Sequence, residues 1–236
     1  MAAFRHELKY LIPYSQKDIL IRKFLGQGML HTDPHAVDGS YLIRSLYFDD
    51  HAESAYEEKQ MGIAARKKYR IRFYDYNDNI IHLEKKIKQG SYIRKESASL
   101  SRAETDAVLS GDYSFLLKRK ESLCQEFYVE CVSNLLRPTV IVDYDREPYI
   151  LDAGTVRITF DEHIRAAVGS LEPFDSTLPS FEVLPEGCLI MEVKFTEFLP
   201  DFIRLLLPQD TMAHTQASKY VMCLEIAKKL HQEILS

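Results

Sequence analysis

Five stretches of this chain alternate charged and apolar residues with a period of two. Arg5, Glu7 and Lys9 alternate with Phe4, Leu8 and Tyr10, and Lys68, Arg70 and Arg72 alternate with Tyr69, Ile71 and Phe73. Glu84, Lys86 and Lys88 oppose Ile81, Leu83 and Ile87. Arg157, Thr159 and Asp161 oppose Val156, Ile158 and Phe160, and Glu192 and Lys194 oppose Met191, Val193 and Phe195. Successive side chains of a β-strand point to opposite faces, so each stretch predicts one apolar and one charged face. The charged faces together hold nine Lys or Arg and four carboxylates, in a chain whose formal net charge is −5. An acidic protein has gathered its cations on one set of strand faces.

Taken singly, each strand is ordinarily one with a face in water. Taken together they are not ordinary. Like charges opposite each other on neighbouring strands repel, and a merely solvated face mixes its signs. An anion is therefore expected to meet this face. Arg offers a planar fork to phosphate oxygens and Lys a point charge, so cations on several strands fit a linear chain of phosphates. A closed barrel of about eight strands has an interior wide enough for side chains or one slim ligand. The interleaved Glu7, Glu84 and Glu192 are expected to hold Mg2+ or Mn2+, which bridges carboxylates to phosphate oxygens. The alternative for Glu192 is that it pairs with a neighbouring cation so that an empty tunnel is tolerable.

The elements that must carry these residues are read from pattern and punctuation. Strands are expected at Phe4–Ile12, Tyr41–Phe48, Lys67–Tyr74, Ile80–Lys88, Ser91–Ser97, Thr139–Tyr144, Tyr149–Asp152, Thr155–Phe160, Ile164–Val168 and Leu189–Phe195. Helices are expected near Ser15–Leu25, Ala52–Gln60, Arg102–Leu109, Glu121–Leu136, Pro200–Leu206 and His214–Leu230. Short turns at Asn77-Asp78 and Gln89-Gly90 favour antiparallel pairing. The turn-rich Val168–Pro185 reads as a surface loop. The expected fold is α+β, an antiparallel β-barrel tunnel with helices packed outside it, as one domain over residues 1–236.

Other function classes are disfavoured. The negative net charge argues against a nucleic-acid surface. No apolar run approaches the ~20 residues of a bilayer span, and the opening residues lack the apolar region of a signal peptide. Cys124, Cys131, Cys188 and Cys223 are scattered and read as free thiols, which fits a cytoplasmic protein. His51, His163 and His214 have no zinc-site spacing, and no Gly-rich phosphate loop is present. Leu135, Leu136, Met222, Ile226 and Leu230 read as helical core. The stretch holding Arg44 and Tyr47 alternates poorly, so these two are read either as reaching the site or as packing.

In their order and spacing the motifs resemble the CYTH, or triphosphate tunnel metalloenzyme, superfamily, and within it the VTC branch of polyphosphate polymerase domains. The resemblance runs from Phe4 to about Leu230. It rests on Arg5-His-Glu7-Leu-Lys9-Tyr10, Arg70-Ile-Arg72-Phe-Tyr74, Leu83-Glu84-Lys85-Lys86, Asp145-Arg146-Glu-Pro-Tyr149, Arg157-Ile-Thr-Phe-Asp161, Met191-Glu192-Val-Lys194-Phe195 and Ser218-Lys219-Tyr220. It implies that Lys9, Arg70, Arg72, Lys86, Arg146 and Lys219 act on the reacting phosphates. Lys68, Arg157, Lys194 and Ser218 would add phosphate contacts, and Glu192, with Glu84 and Glu7, would ligate the metal. It implies transfer of the ATP γ-phosphate onto a polyphosphate chain, with Mn2+ or Mg2+ as cofactor. No direct membrane insertion is expected, so polyphosphate translocation would need a membrane-protein partner. Two alternatives share the same cations: a hydrolase of triphosphate or polyphosphate, and a non-catalytic sensor of polyphosphate or nucleotide. Arg5 stands where the wider superfamily often has Glu, which fits the VTC branch. Gln216 stands where a basic residue often precedes the serine–lysine pair.

Overall fold

Eight strands pair edge to edge until the last meets the first. In the computed structural model, which describes residues 4–26, 31–32, 36, 39–151, 153–208 and 217–235, the chain runs β1 (Arg5–Pro13), α1 (Tyr14–Gly26), β2 (His31–Thr32), β3 (Tyr41–Asp49), α2 (Ser54–Gln60), β4 (Ala65–Tyr74), β5 (Asn77–Gln89) and β6 (Tyr92–Leu100). It continues through α3 (Arg102–Ser110), α4 (Ser122–Ser133), β7 (Arg137–Leu151), β8 (Val156–Ala167), β9 (Ser180–Glu182), β10 (Cys188–Phe195), α5 (Asp201–Leu206) and α6 (Lys219–Leu235). The order β7-β3-β4-β5-β6-β1-β10-β8 is closed by β8 pairing back onto β7, and β2 and β9 hang from β7 and β8. All these pairings are antiparallel. Closure removes the exposed strand edge that an open sheet must otherwise protect.

The ring is not a regular cylinder. Its seam, β6 against β1, has only Arg5 opposite Ile93 and His6 opposite Tyr92. Aromatic rings bolster that seam: His6 lies 4.8 Å from Tyr92 and 4.9 Å from Phe195, centroid to centroid. Arg5 is exposed here, at the end of its strand.

Three apolar clusters follow from the alternation. The outward faces of β3 to β6, including Leu46, Tyr69, Ile71, Phe73 and Leu83, pack under α3 and α4 through Val108, Leu123, Cys124, Phe127 and Cys131. The outward faces of β1, β8 and β10, with Tyr10, Ile158, Phe160, Met191 and Val193, pack under α1 and α5 through Leu20, Phe24 and Ile203. The third cluster is internal: Ile43, Tyr47, Val140, Val142, Ile164, Ala166 and Ile190 receive Tyr220, Val221, Cys223 and Leu224 of α6. Helix α6 therefore packs on the inner face, while the other long helices lie outside. Cys124, Cys131, Cys188 and Cys223 are free thiols. Among the described residues no helix is long and apolar enough to cross a membrane.

Several expected boundaries change. The two strands expected at Thr139–Tyr144 and Tyr149–Asp152 are one strand, β7; Asp152 itself lies outside the described residues. Those expected at Thr155–Phe160 and Ile164–Val168 are likewise one strand, β8, with His163 at φ 44° and a register shift against β7 between Asp143 and Asp145. The extra residue of this bulge switches which positions face inward: Asp161 does, and then Ile164 and Ala166. The β4–β5 turn is Asp75-Tyr76, both at positive φ, so Asn77 and Asp78 are strand residues. Paired positive φ values match the right-handed strand twist and make a tight hairpin. Helix α4 stops at Ser133, so Leu136 is buried off the helix and Leu135, at φ 54°, is exposed. The Val168–Pro185 segment is largely irregular but contains β9. His214 lies outside the described residues, and the last helix begins at Lys219.

The structure also separates Arg44 from Tyr47. Tyr47 faces inward. Arg44 faces outward and is fully buried, pairing with Asp143 at 2.8 and 2.7 Å and donating to the carbonyls of Pro173 and Asp175. It thereby ties the 168–179 segment to the wall. Breaking a buried pair leaves a buried charge uncompensated. Arg44→Met is expected to cost ~3–5 kcal/mol in urea unfolding. Arg44→Met combined with Asp143→Leu should recover a large part of that loss, measured as a double-mutant cycle.

Candidate functional site

The inward positions of seven strands, β1, β4, β5, β6, β7, β8 and β10, and the start of α6 bring the charged residues together. Glu192 is the centre of the largest group. Its Oε1 lies 3.2 Å from Lys9 Nζ and 3.0 Å from Lys219 Nζ. Its Oε2 lies 2.8 Å from Lys194 Nζ and 3.6 Å from Arg146. Two further carboxylates flank it. Asp161 takes both arms of Arg146, at 2.6 and 2.7 Å, and Lys219 at 2.5 Å. Glu7 takes Lys86 at 2.9 Å and shares Lys194 at 3.6 Å and Lys9 at 3.9 Å. Glu7, Glu192 and Asp161 thus form a row cross-linked by lysines that each serve two carboxylates.

The second group lies on β4 and β5. Glu84, fully buried, accepts from Arg70 at 2.8 Å and Lys95 at 2.5 Å, with Arg72 3.7 Å away. Arg70 also donates to the Tyr47 hydroxyl at 2.8 Å, and Arg72 to the Tyr144 hydroxyl at 2.9 Å. Tyr144 connects the two groups, because Lys219 and Arg146 lie 4.9 and 5.2 Å from its ring centroid. Arg157, near the end of β8, donates to the Tyr41 hydroxyl at 3.0 Å. Lys68 donates to Ser218 Oγ at 3.1 Å, and Lys9 donates to the Ala217 carbonyl at 3.2 Å, so the start of α6 is tied to the wall.

The electrostatics follow from burial and from these contacts. Burial alone would raise the Glu192 carboxyl, but Lys194, Lys219, Lys9 and Arg146 outweigh it and hold it well below the usual carboxylate range. Burial raises Glu7 too, yet Lys86 and Lys9 bring it down to about 2. Asp161 and Glu84 are lowered against burial by their Arg partners. The Tyr144 phenol, which burial would raise, is lowered by Arg146 and Arg72. Among the lysines Lys9 and Lys219 are raised, against burial, by their carboxylates, whereas burial outweighs Glu7 at Lys86 and lowers it to about 8, and Lys68 is lowered further. Burial, then Lys86, Lys9, Arg66 and Lys59, push it down to about 6.

Every expected phosphate-handling residue is therefore inside the ring: Lys9, Lys68, Arg70, Arg72, Lys86, Arg146, Arg157, Lys194, Ser218 and Lys219. The three expected metal ligands are not one cluster. Glu7 and Glu192 share Lys9 and Lys194, whereas Glu84 stands apart with Arg70 and Lys95. Among the described residues no group of three or more His, Cys, Asp or Glu side chains is disposed to hold a metal ion. Mg2+ and its relatives use one or two carboxylates plus substrate phosphates rather than an all-protein cage. Glu192 and Glu7, two neighbouring carboxylates that share Lys9 and Lys194, fit that donor set; among the described residues Glu84 has no second carboxylate sharing its cations. Gln216 lies outside the described residues. Lys95 and Tyr144 were not anticipated as site residues. Lys95 was legible in principle, since β6 pairs it with the inward Lys86. Tyr144 sits two residues before Arg146 on the inward face of β7, a position hidden while β7 reads as two strands.

The same ring occurs in solved structures. A putative adenylyl cyclase, HpAC1, from Hippeastrum, described as having a dominant triphosphatase activity, is similar with a TM-score of 0.55 and 14% identity over 95% of this chain and 96% of its own. A putative adenylate cyclase from Vibrio parahaemolyticus is similar with a TM-score of 0.53 and 10% identity over 94% of this chain and 98% of its own. The PH1012 protein of Pyrococcus horikoshii OT3 is similar with a TM-score of 0.50 and 10% identity over 91% and 96%. At these identities the likeness is one of fold. No curated protein sequence matches this chain significantly. The VTC domain model matches residues 4–228, nearly the whole length, and the ring with its inward cations agrees with it: this chain belongs to the VTC domain family.

Proposed function

We propose that this chain is a metal-dependent phosphotransferase that moves the γ-phosphate of ATP onto the end of a polyphosphate chain held in the tunnel. The observation that carries the reading is the excess of buried cations over carboxylates on the inner face of a closed ring. Each inner carboxylate is shared by several cations, so a phosphate chain entering the tunnel offers these cations new oxygens. Lys9, Arg70, Arg72, Lys86, Arg146 and Lys219 would orient the phosphates and stabilise the charge that develops during transfer. A terminal oxygen of the acceptor chain bonds to the γ-phosphorus, the bond from that phosphorus to the β-bridging oxygen breaks, and ADP departs with the electron pair. The terminal phosphate is already ionised, which removes the need for a protein base. Glu192 and Glu7 would hold a divalent ion, which would supply further positive charge to the transferring phosphate.

A second reading replaces the acceptor chain by water, which makes the protein a triphosphatase; the described activity of HpAC1, which shares the fold, favours keeping it. Incubation of purified protein with ATP and Mn2+ discriminates. Long polyphosphate with matching ADP is the expected product. Free phosphate alone would establish the hydrolase, and neither product with retained triphosphate binding would make it a sensor.

The roles of anion and cation separate in two variants. Glu192→Gln keeps the shape but removes one of the two carboxylates that each of Lys9, Lys194 and Lys219 serves, so metal-free triphosphate binding should persist or tighten while metal-dependent turnover collapses. Arg72→Ala removes a phosphate donor and should weaken triphosphate binding by ~1.5–3 kcal/mol with or without metal. Isothermal titration and turnover with and without Mn2+ on both variants check the pair of outcomes.

Binding should also move a proton. Lys68 has a folded pKa of about 6, below the ordinary lysine value, so it is largely neutral at pH 7.5. Its surroundings are Lys86, Lys9, Arg66 and Lys59 on the charged side and Ser218 and Tyr220 on the other. A phosphate beside it favours the charged form, so triphosphate binding near pH 7.5 takes up a proton. Titrations in buffers of different ionisation enthalpy should show this uptake, and Lys68→Met should remove most of it, leaving the smaller share of Lys86, which is lowered to about 8. The lowered pKa also means that the unfolded chain binds this proton and the fold does not. Lys68 therefore costs stability that is recovered as pH rises from about 6 toward the ordinary lysine value.

A further inference from the structure

One end of the tunnel carries cations that the inner carboxylates do not neutralise. Arg66 and Lys88 sit directly opposite each other across β4 and β5, and Lys68 and Lys86 are the next like-charged pair along the same face. Like charges in such register destabilise a sheet. Helix α2 brings Lys59 to the same place: burial, then Arg66 and Lys88, lower its pKa. Lys88 is lowered in the same way by burial and Arg66. Deeper in the tunnel Lys9, Arg70, Lys86, Arg146, Lys194 and Lys219 each contact a carboxylate. Among the described residues no carboxylate lies within ion-pair distance of Lys59, Arg66 or Lys88; Glu58 and Glu7 act on Arg66 and Lys88 only from farther away. The other end of β4 is different. There Tyr74 meets Tyr41 edge to face at 5.7 Å, and Arg157 donates to the Tyr41 hydroxyl.

We infer that Lys59, Arg66 and Lys88 form an external subsite for a linear polyphosphate longer than the tunnel, so that the chain leaves by this mouth and long chains are held more tightly than short ones. The inference rests on the tunnel reading proposed above and adds a direction and a length preference to it. The geometry suits an extended polyanion. Arg66 continues the inward row Arg70–Lys68 of β4, Lys88 continues the row Glu84–Lys86 of β5 beside it, and Lys59 of α2 adds a third cation next to both, so a chain emerging at this end meets all three. A triphosphate that fills the inner site does not reach them. Because they are half-exposed, their contribution is screened by salt more strongly than that of the buried cations. Charge repelled into one place with no acid beside it is the cost that a bound polyanion removes.

The test compares tripolyphosphate with long-chain polyphosphate on the full chain by isothermal titration, at low and high salt. Wild type should bind the long chain roughly tenfold or more tightly than tripolyphosphate, because the tethered extra contacts add to the inner ones. Lys59→Gln, Arg66→Gln and Lys88→Gln combined should lose that gain while tripolyphosphate affinity stays within about twofold. Lys59→Arg, Arg66→Lys and Lys88→Arg combined keep the charges and should keep the gain. The statistical advantage of many registers on a long chain is common to all three proteins and cancels. A gain that survives in the neutral variant overturns the inference, as does an equal loss for both ligands. Equally tight binding of single-stranded oligonucleotide through the same three residues would overturn the assignment to polyphosphate. Wild type that binds tripolyphosphate but shows no gain for the long chain sinks this inference and leaves the tunnel function standing; binding of neither ligand sinks the tunnel function itself.

Discussion

The two oxygens of Glu192 are divided among Lys9, Lys219, Lys194 and Arg146, and the rest of the interior depends on that sharing. A buried ammonium or guanidinium is tolerable only with a partner, because desolvation costs several kcal/mol per ion. Four inner carboxylates each serve more than one cation, so the empty ring can exist without burying a bare charge. The pairing is deliberately incomplete in stoichiometry: the cations outnumber the acids, and none of the acids belongs to one cation alone. A phosphate chain then exchanges one set of oxygens for another. Such an exchange keeps the guanidinium forks ordered before the ligand arrives, which removes part of the side-chain ordering cost of binding.

The apolar layers serve this interior from both sides. The outward clusters under α3 and α4, and under α1 and α5, hold the strands whose inward faces are charged. Helix α6 does something else. Its Tyr220, Val221, Cys223 and Leu224 fill the part of the inner face that is apolar, against Val140, Val142, Ile164 and Ala166. Filling that part divides the interior into a packed half and a polar half. It also delivers Ser218 and Lys219, at the start of the helix, to the boundary between them. The Tyr220 hydroxyl donates to Asp49 at 2.6 Å and the Met222 amide to the Ser218 carbonyl at 3.0 Å, so this start is fixed by ordinary packing and hydrogen bonds.

Strand alternation made the charged faces legible, because period two is a local property of each strand. It placed Lys68, Arg70, Arg72, Lys86, Arg157 and Lys194 inside without any knowledge of pairing. Where alternation is interrupted it misled. The bulge at His163 adds one residue to β8, so a continuous strand reads as two, and β7 beside it also reads as two strands, broken over 145–148, because the strands that pair with those residues are not visible in the sequence. Lys95 went unnoticed because Tyr92–Leu100 carries charges on both faces: Lys95 points in to Glu84 while Arg94 pairs with Glu96. The inward seat of α6 was not legible at all. An apolar helix stripe looks the same whether it covers a barrel or enters one.

The same local logic explains why the tunnel has a polarity. On β4 a single inward row runs from Arg66 through Lys68, Arg70 and Arg72 to Tyr74. In its middle, Glu84 of the neighbouring strand is shared by Arg70 and Arg72, and the hydroxyls of Tyr144 and Ser45 accept from Arg72. At its far end the row itself gives way to Tyr74, which packs on Tyr41, and the nearby Arg157 donates to the Tyr41 hydroxyl. At the Arg66 end β5 supplies Lys88 and Lys86 rather than an acid. Placing Glu opposite Arg66 would have stabilised the hairpin in the empty protein at the expense of an electrostatic path outward. Water and salt keep the repulsion at this end small, since the residues are half-exposed, whereas the same arrangement at Arg72 would be untenable. Among the described residues the gradient from paired to unpaired cations on β4 therefore follows the gradient of burial, and it points out of the mouth lined by Arg66 and Lys88.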